Sequence, residues 1–279
     1  MAKQFKEQGG AATMDPSPWF RWLSSAIIRR LMSPGHLVTN RRKVEQQRVK
    51  DGRKHVVEYF HQINDGYSHL AAQALKSLAA RYDIELRCHL VTGPQGKNSA
   101  EPELLIGLSR YDSSLIAPEY GLNFPKQTDA PKLALLELAS MILAAQTHEG
   151  FIHCAAAVGD ALWGGDVKQL KALAKQYGKI PKSDLAAKLE AGNAHRAALK
   201  HYSGGMFYYG EEWYWGVDRL HYLETRLGEL GADLQPPQPL VMPRPTRVAA
   251  TLKDTGTLTL EVYPSLRSPY SAMIFDQVV

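Results

Sequence analysis

The stretch from Lys54 to Val91 constrains the fold most, because it holds a strand, a helix and a second strand with little more than a turn between them. "KHVVEYF" is a β-rich run and "INDGY" a turn; "SHLAAQALKSLAARY" then places Leu70, Ala71, Ala74, Leu75 and Leu78 at helical spacing. Ser68 stands where it would cap that helix. "DIELRCHLV" alternates, with Ile84, Leu86, Cys88 and Leu90 on one face and Glu85, Arg87 and His89 on the other, the pattern of a half-buried strand. A helix between two such strands predicts a parallel pair joined by a crossover.

Residues 100 to 202 read as helical almost throughout. The segments are "PKLALLELASMILAAQTH", "FIHCAAAVGDALW", "DVKQLKALAKQYG" with Asp166 as cap and Gly178 as stop, and "SDLAAKLEAGNAHRAALKHY" with Ser183 as cap. "GGMFYYGEEWYWG" follows as two short aromatic strands around Gly210 and Glu211, a hairpin, and "VDRLHYLETRLGEL" closes with a helix through Leu220, Leu223 and Leu227. The aromatic residues of the hairpin suit either a core or the wall of an apolar cleft. The expected order is therefore β-α-β, a helical insertion, then β-β-α. Four parts are expected: a basic helical extension over 1–53, an α/β domain over 54–230 with its insertion at about 100–202, a proline-rich linker over 231–253, and a further segment over 254–279. The linker expectation rests on five prolines between residues 232 and 247.

At 279 residues and 44% apolar content the chain can bury a sizeable core. It lacks the run of roughly 20 apolar residues that would cross a bilayer, and no secretory signal is legible, so a cytoplasmic protein is expected. The net charge of +5 is local: residues 1 to 58 carry 12 Lys and Arg against 5 Asp and Glu, and the remainder is slightly acidic. Nucleic acid is therefore not an expected partner of the domain. Within the basic end, "SPWFRWLSSAIIRRLM" starts with Ser17 as cap and Pro18 at the first helical position, and puts Trp19, Leu23, Ala26, Ile27 and Leu31 on one face. Residues 17–32 suit either peripheral contact with a membrane or packing against the protein body or a partner subunit, so a homodimer stays open. Cys88 and Cys154 form neither a disulfide framework nor a C-x-x-C, and His55, His61, His69 and His89 show no ligand spacing, so no metal is expected.

With an offset of 203 residues, "VEYFHQINDGYSHLAAQAL" aligns without a gap to "LEVYPSLRSPYSAMIFDQV", pairing Glu58 with Glu261, Tyr67 with Tyr270, Ser68 with Ser271 and Asp65 with Ser268. A second copy of the same unit is expected to begin there, running past Val279. From about Val56 to Leu230 the chain resembles the DsbA-like thioredoxin-fold superfamily with a helical insertion, in particular 2-hydroxychromene-2-carboxylate isomerase and kappa-class glutathione transferases. The resemblance is carried by "GYSHLAAQAL", by "RYD" and "YGLNFP" between residues 110 and 125, and most specifically by "GGMFYYGEEWYWGVDRLHYLETRL".

The resemblance implies an α/β, thioredoxin-like fold and a reactive group in the turn before the first helix of the domain. Backbone N–H groups and the helix dipole stabilise a thiolate there. In the glutathione-using branch a serine hydroxyl hydrogen-bonds the glutathione sulfur, a role that falls to Ser268 in the second copy and to Asp65 in the first. An ionised carboxylate donates no hydrogen bond and repels a thiolate, so the first site departs from the pattern. Ser68 standing in as donor, Asp65 as a general base, and Asp65 as a turn residue and helix-end anion are the readings open for it. Gly205, before Met206, occupies the place of the superfamily's cis-proline, and Asp218 lies at a helix start where relatives hold the γ-glutamyl end of glutathione. Tyr67, Gly205, Met206 and Asp218 are thus the expected cofactor contacts, with Asp65, Ser68 and Ser268 as the catalytic positions. The function implied is glutathione-assisted isomerisation or transfer on a small hydrophobic substrate, with a degenerate first site. The alternative is a non-catalytic binding or dimerisation module; disulfide exchange would need the missing C-x-x-C.

Overall fold

A computed structural model describes residues 17–31, 33–94, 102–126, 129–246, 256, 259, 261 and 262. The chain divides into two units, 1–244 and 245–279. In the second, the described Gly256, Thr259, Glu261 and Val262 form no strand, and Ser268 with its turn lies outside the described residues.

In the first unit, β1 (His55–Gln62) runs into α3 (Gly66–Arg81) and then β2 (Ile84–Val91). The strands pair in parallel with Val57 opposite Leu86 and Tyr59 opposite Cys88, as the alternating pattern predicts. On the other side of β1 lies β3 (Met206–Tyr209), antiparallel, and beyond it β4 (Glu212–Trp215), giving the order β2-β1-β3-β4. Gly210 and Glu211 both have positive φ, which matches the right-handed twist of a two-residue hairpin. The closing helix is α9 (Gly216–Glu229).

Between β2 and β3 the expected insertion is present as α4 (Pro102–Ile116) with a short 3-10 turn (Ala117–Tyr120), α5 (Leu133–Ala144), α6 (His148–Trp163), α7 (Val167–Tyr177) and α8 (Lys182–Ala198). Asp166 caps α7 through the Gln169 N–H as expected. Ser183 does not cap α8, which begins at Lys182 behind Pro181; its hydroxyl donates to Asp184 Oδ1 at 2.8 Å. The core gathers where α3 meets α6 and α9 over the sheet, around Tyr59, Leu70, Leu75, Phe207 and Leu220, all fully buried. Each such leucine contributes about 1.5–3 kcal/mol relative to exposure. Of the hairpin aromatics, Phe207, Tyr209 and Tyr214 are buried and Trp215 is exposed.

One expectation about the flanks changes. Residues 231–242 are no free spacer: Arg81 binds Asp233 through Nη2 and Oδ2 at 2.8 Å and donates to the carbonyls of Gln238 and Pro239. The buried Glu224 carboxylate accepts from Val241 N–H, Met242 N–H and Tyr82 O–H at 2.6–2.8 Å. The N-terminal extension forms α1 (Pro18–Leu31) and α2 (Pro34–Lys50). The two Arg41 donors grip Glu212 of β4 at 2.7 and 2.6 Å, whereas no residue of α1 is buried. The apolar face through Trp19, Leu23, Ile27 and Leu31 is left uncovered by the other described residues, with Trp19 stacked on the neighbouring Trp22 at 5.5 Å. Among the described residues no helix is long and apolar enough to cross a membrane.

Candidate functional site

The turn between β1 and α3 is built by Asp65. Its backbone is extended (φ −113°, ψ 124°), which makes it the N-cap, and its Oδ2 accepts from the Ser68 N–H at 2.9 Å and the Ser68 hydroxyl at 2.8 Å. Ser68 is therefore not the cap but the third residue inside the helix, fully buried, with its oxygen also accepting from Gln62 N–H at 3.1 Å. That hydroxyl has one proton and Asp65 holds it. Burial pushes the Asp65 carboxyl above the usual carboxylate range, against the hydrogen bonds from Ser68 that stabilise its charge.

Helix α4 closes over the same turn. Ser109 Oγ accepts from Gly66 N–H at 3.2 Å, and the Tyr67 hydroxyl donates to Asp112 Oδ2 at 2.7 Å. Burial, and then the Asp112 partner, raise the Tyr67 phenol above its ordinary value. Gly205 faces Asp65 from the start of β3, at φ +65°, where a Cβ would lie 3.1 Å from Asp65 Oδ2. The left-handed backbone there suits glycine and excludes proline. Its N–H donates to Phe60 O and its carbonyl accepts from Gly216 N–H, both at 2.9 Å, so the backbone edge is paired within the protein.

A cleft of about 500 Å³ opens beside this turn, lined by Gln62, Asp65, Tyr67, Ile106, Ser203 and Trp215 among others. The structure thus brings Asp65, Tyr67 and Gly205 together, while Met206 is 2% exposed and outside the cleft wall. Asp218 lies in the first turn of α9, in a separate cavity of about 310 Å³ that it shares with Tyr67 and Asp112. Ser109 and Asp112 went unassigned in the sequence; the only signal for Asp112 was its place in "RYD". Neither cysteine can act here. Both are buried, and burial raises both thiols, Cys154 to about 11.

A parallel β-α-β unit, an antiparallel hairpin, a closing helix and helices inserted after the second strand form a thioredoxin-like fold with a helical insertion. No family profile and no curated protein matches this chain. Among solved structures it is similar to a 2-hydroxychromene-2-carboxylate isomerase, at 20% identity and TM-score 0.46 over 63% of this chain and 96% of that one. It is similar also to a protein assigned as a disulfide isomerase from Nitrosomonas europaea (17%, TM-score 0.44, 63% and 97%). A third is a protein assigned as a DsbA oxidoreductase from Streptomyces coelicolor (11%, TM-score 0.45, 67% and 94%).

Proposed function

We propose that the first unit is a thiol-inert member of the isomerase and glutathione-transferase branch, a binding domain whose cleft beside Asp65 takes a small, largely apolar molecule. The observation that carries this reading is the double use of the Asp65 carboxylate by the N–H and O–H of the buried Ser68. A site for a glutathione thiolate needs a hydrogen-bond donor at that spot and low negative charge. Here the donor proton is consumed by an acid, and the neighbouring Gly205 edge is already paired. Glutathione-assisted chemistry is assigned to the second copy of the fold, with Ser268 as the hydroxyl that meets the sulfur.

The test is calorimetry with glutathione on the chain and on Asp65→Asn and Ser268→Ala. Glutathione-dependent heat is expected to survive the first substitution and vanish with the second. Its loss in Asp65→Asn would overturn the assignment. Binding of a neutral apolar fluorescent probe, N-phenyl-1-naphthylamine, is expected to weaken when Ile106→Glu puts a charge on the cleft wall.

A further inference from the structure

We propose that Glu58, His89 and His195 bind a divalent first-row transition ion, zinc being the reference case, in a site separate from the cleft beside Asp65. The three donors come from three elements that only the tertiary fold brings together: β1, β2 and α8. The His89 Nε2 atom lies 2.5 Å and the His195 Nε2 atom 3.4 Å from the same Glu58 oxygen, Oε2, and the three ligand atoms lie within 4.8 Å of one another. Around a tetrahedral ion with bonds of about 2.1 Å, ligand atoms stand about 3.4 Å apart. The His195 spacing already has that value, and His89 needs to retreat by less than the width of an atom. His195 Nε2 is shielded from solvent, and its 3.4 Å approach to Glu58 Oε2 is too long and poorly aligned to be a good hydrogen bond, so its lone pair is open to an ion.

The arrangement is rigid. Because side chains alternate along a strand, Glu58, Phe60 and His89 share one face of the sheet, with Phe60 directly opposite His89 in register. Phe60, itself fully buried, stacks on the His89 ring at 5.0 Å and tilts against the His195 ring at 5.7 Å, which orients both imidazoles. Helix α8 is fastened to the end of β2 by the residues that flank His195. Asn193 accepts from Thr92 N–H at 3.0 Å, Arg196 donates to Thr92 O at 2.9 Å, and Gly192 lies so close that a Cβ would overlap Leu90 O. The histidine is thus held against the sheet by its own helix turn.

Two imidazoles and one carboxylate form a donor set suited to zinc and its neighbours rather than to calcium or magnesium, which take oxygen. The three protein ligands leave the remaining coordination position open toward a cavity of about 560 Å³, which shares no lining residue with the Asp65 cleft. His148, its Nδ1 within 3.1 Å of the Cys88 backbone, adds another imidazole to that wall with its ring 5.7 Å from His89. A bound ion with an open position would hold water there and act as a Lewis acid on whatever enters.

The test uses the full chain, stripped with chelator and titrated with ZnCl₂ alone by calorimetry, with Co²⁺ as a spectroscopic probe. One ion per chain is expected, with the visible ligand-field bands of a low-coordinate Co²⁺ site. His195→Gln should weaken binding by more than about tenfold and erase the Co²⁺ bands. Its side chain is 40% exposed, so circular dichroism and thermal unfolding should match the parent. Glu58→Gln should behave alike, and His153→Gln, an exposed imidazole elsewhere on the surface, should bind as the parent does. Unchanged affinity in both His195→Gln and Glu58→Gln, or no saturable binding of either ion below about 1 mM, overturns the site.

Discussion

At Asp65 and Ser68, two residue types that both favour helix starts stand three positions apart, and the backbone decides between them. The capping position needs extended dihedrals, which Asp65 has, while Ser68 sits where its own N–H requires an acceptor. Asp65→Ala should therefore cost about 1–2 kcal/mol, and Asp65→Ser, which keeps an acceptor oxygen at the cap, should recover most of that loss. Urea unfolding of the two variants beside the parent measures both; equal stability of Asp65→Ala and the parent would refute the capping role. The sequence made Asp65, Tyr67 and Gly205 visible because they crowd one turn and one strand start. It could not show that Ser68 would be sealed in, nor that Glu58, His89 and His195 would converge. A spacing rule reads ligands along one element, whereas these three meet only when α8 docks on β2.

Elements whose pattern is local were legible, and those held by distant partners were not. The β1-α3-β2 unit, the hairpin and α9 follow from periodicity and turn residues within a few positions. Residues 231–242 carry a composition that reads as a linker, but what decides their state is a carboxylate and a guanidinium more than 140 positions apart from some of their partners. Glu224→Ala removes the acceptor of three hydrogen bonds and leaves two backbone N–H groups unpaired, at a loss of about 3 kcal/mol. Limited proteolysis should then cut between residues 235 and 242 at protease levels the parent resists; equal resistance would show that the strap is held by something else. Helix α1 behaves oppositely. Its apolar side chains gather on one face but that face is exposed, so Trp19→Ser with Ile27→Ser should move the midpoint of thermal unfolding by no more than about 1–2 °C. A larger fall would mean that this face is covered within the folded chain.

For the domain as a whole, the buried imidazoles set the response to acid. His61 is 2% exposed; burial, then the neighbouring His69, lowers its pKa to about 3. The Tyr59 hydroxyl donates to Ser68 O at 2.7 Å, so its 2.8 Å contact with His61 Nδ1 must have the imidazole as donor, which fixes a neutral tautomer in the core. Burial lowers His55 as well. A histidine with a depressed folded pKa binds fewer protons folded than unfolded between about pH 6.5 and its folded value, so stability falls as pH falls through that window. One such group gives a slope of about 1.4 kcal/mol per pH unit, and His61 alone contributes on the order of 5 kcal/mol over its range. Asp65 acts with the opposite sign: its raised pKa makes the folded state bind more protons than the unfolded one above about pH 3.8, so it loses stability as pH rises there. Glu58, held low by His89 and His195 against the upward push of burial, enters only below about pH 4.5. Between pH 6.5 and 4.5 the free energy of unfolding should therefore decline toward acid in the parent and decline less in His61→Leu; above about pH 3.8, Asp65→Asn should lose the part of the profile in which stability falls as pH rises. Urea titrations at half-unit pH steps give the three slopes, and a His61→Leu slope equal to the parent's would remove His61 as the source of acid lability.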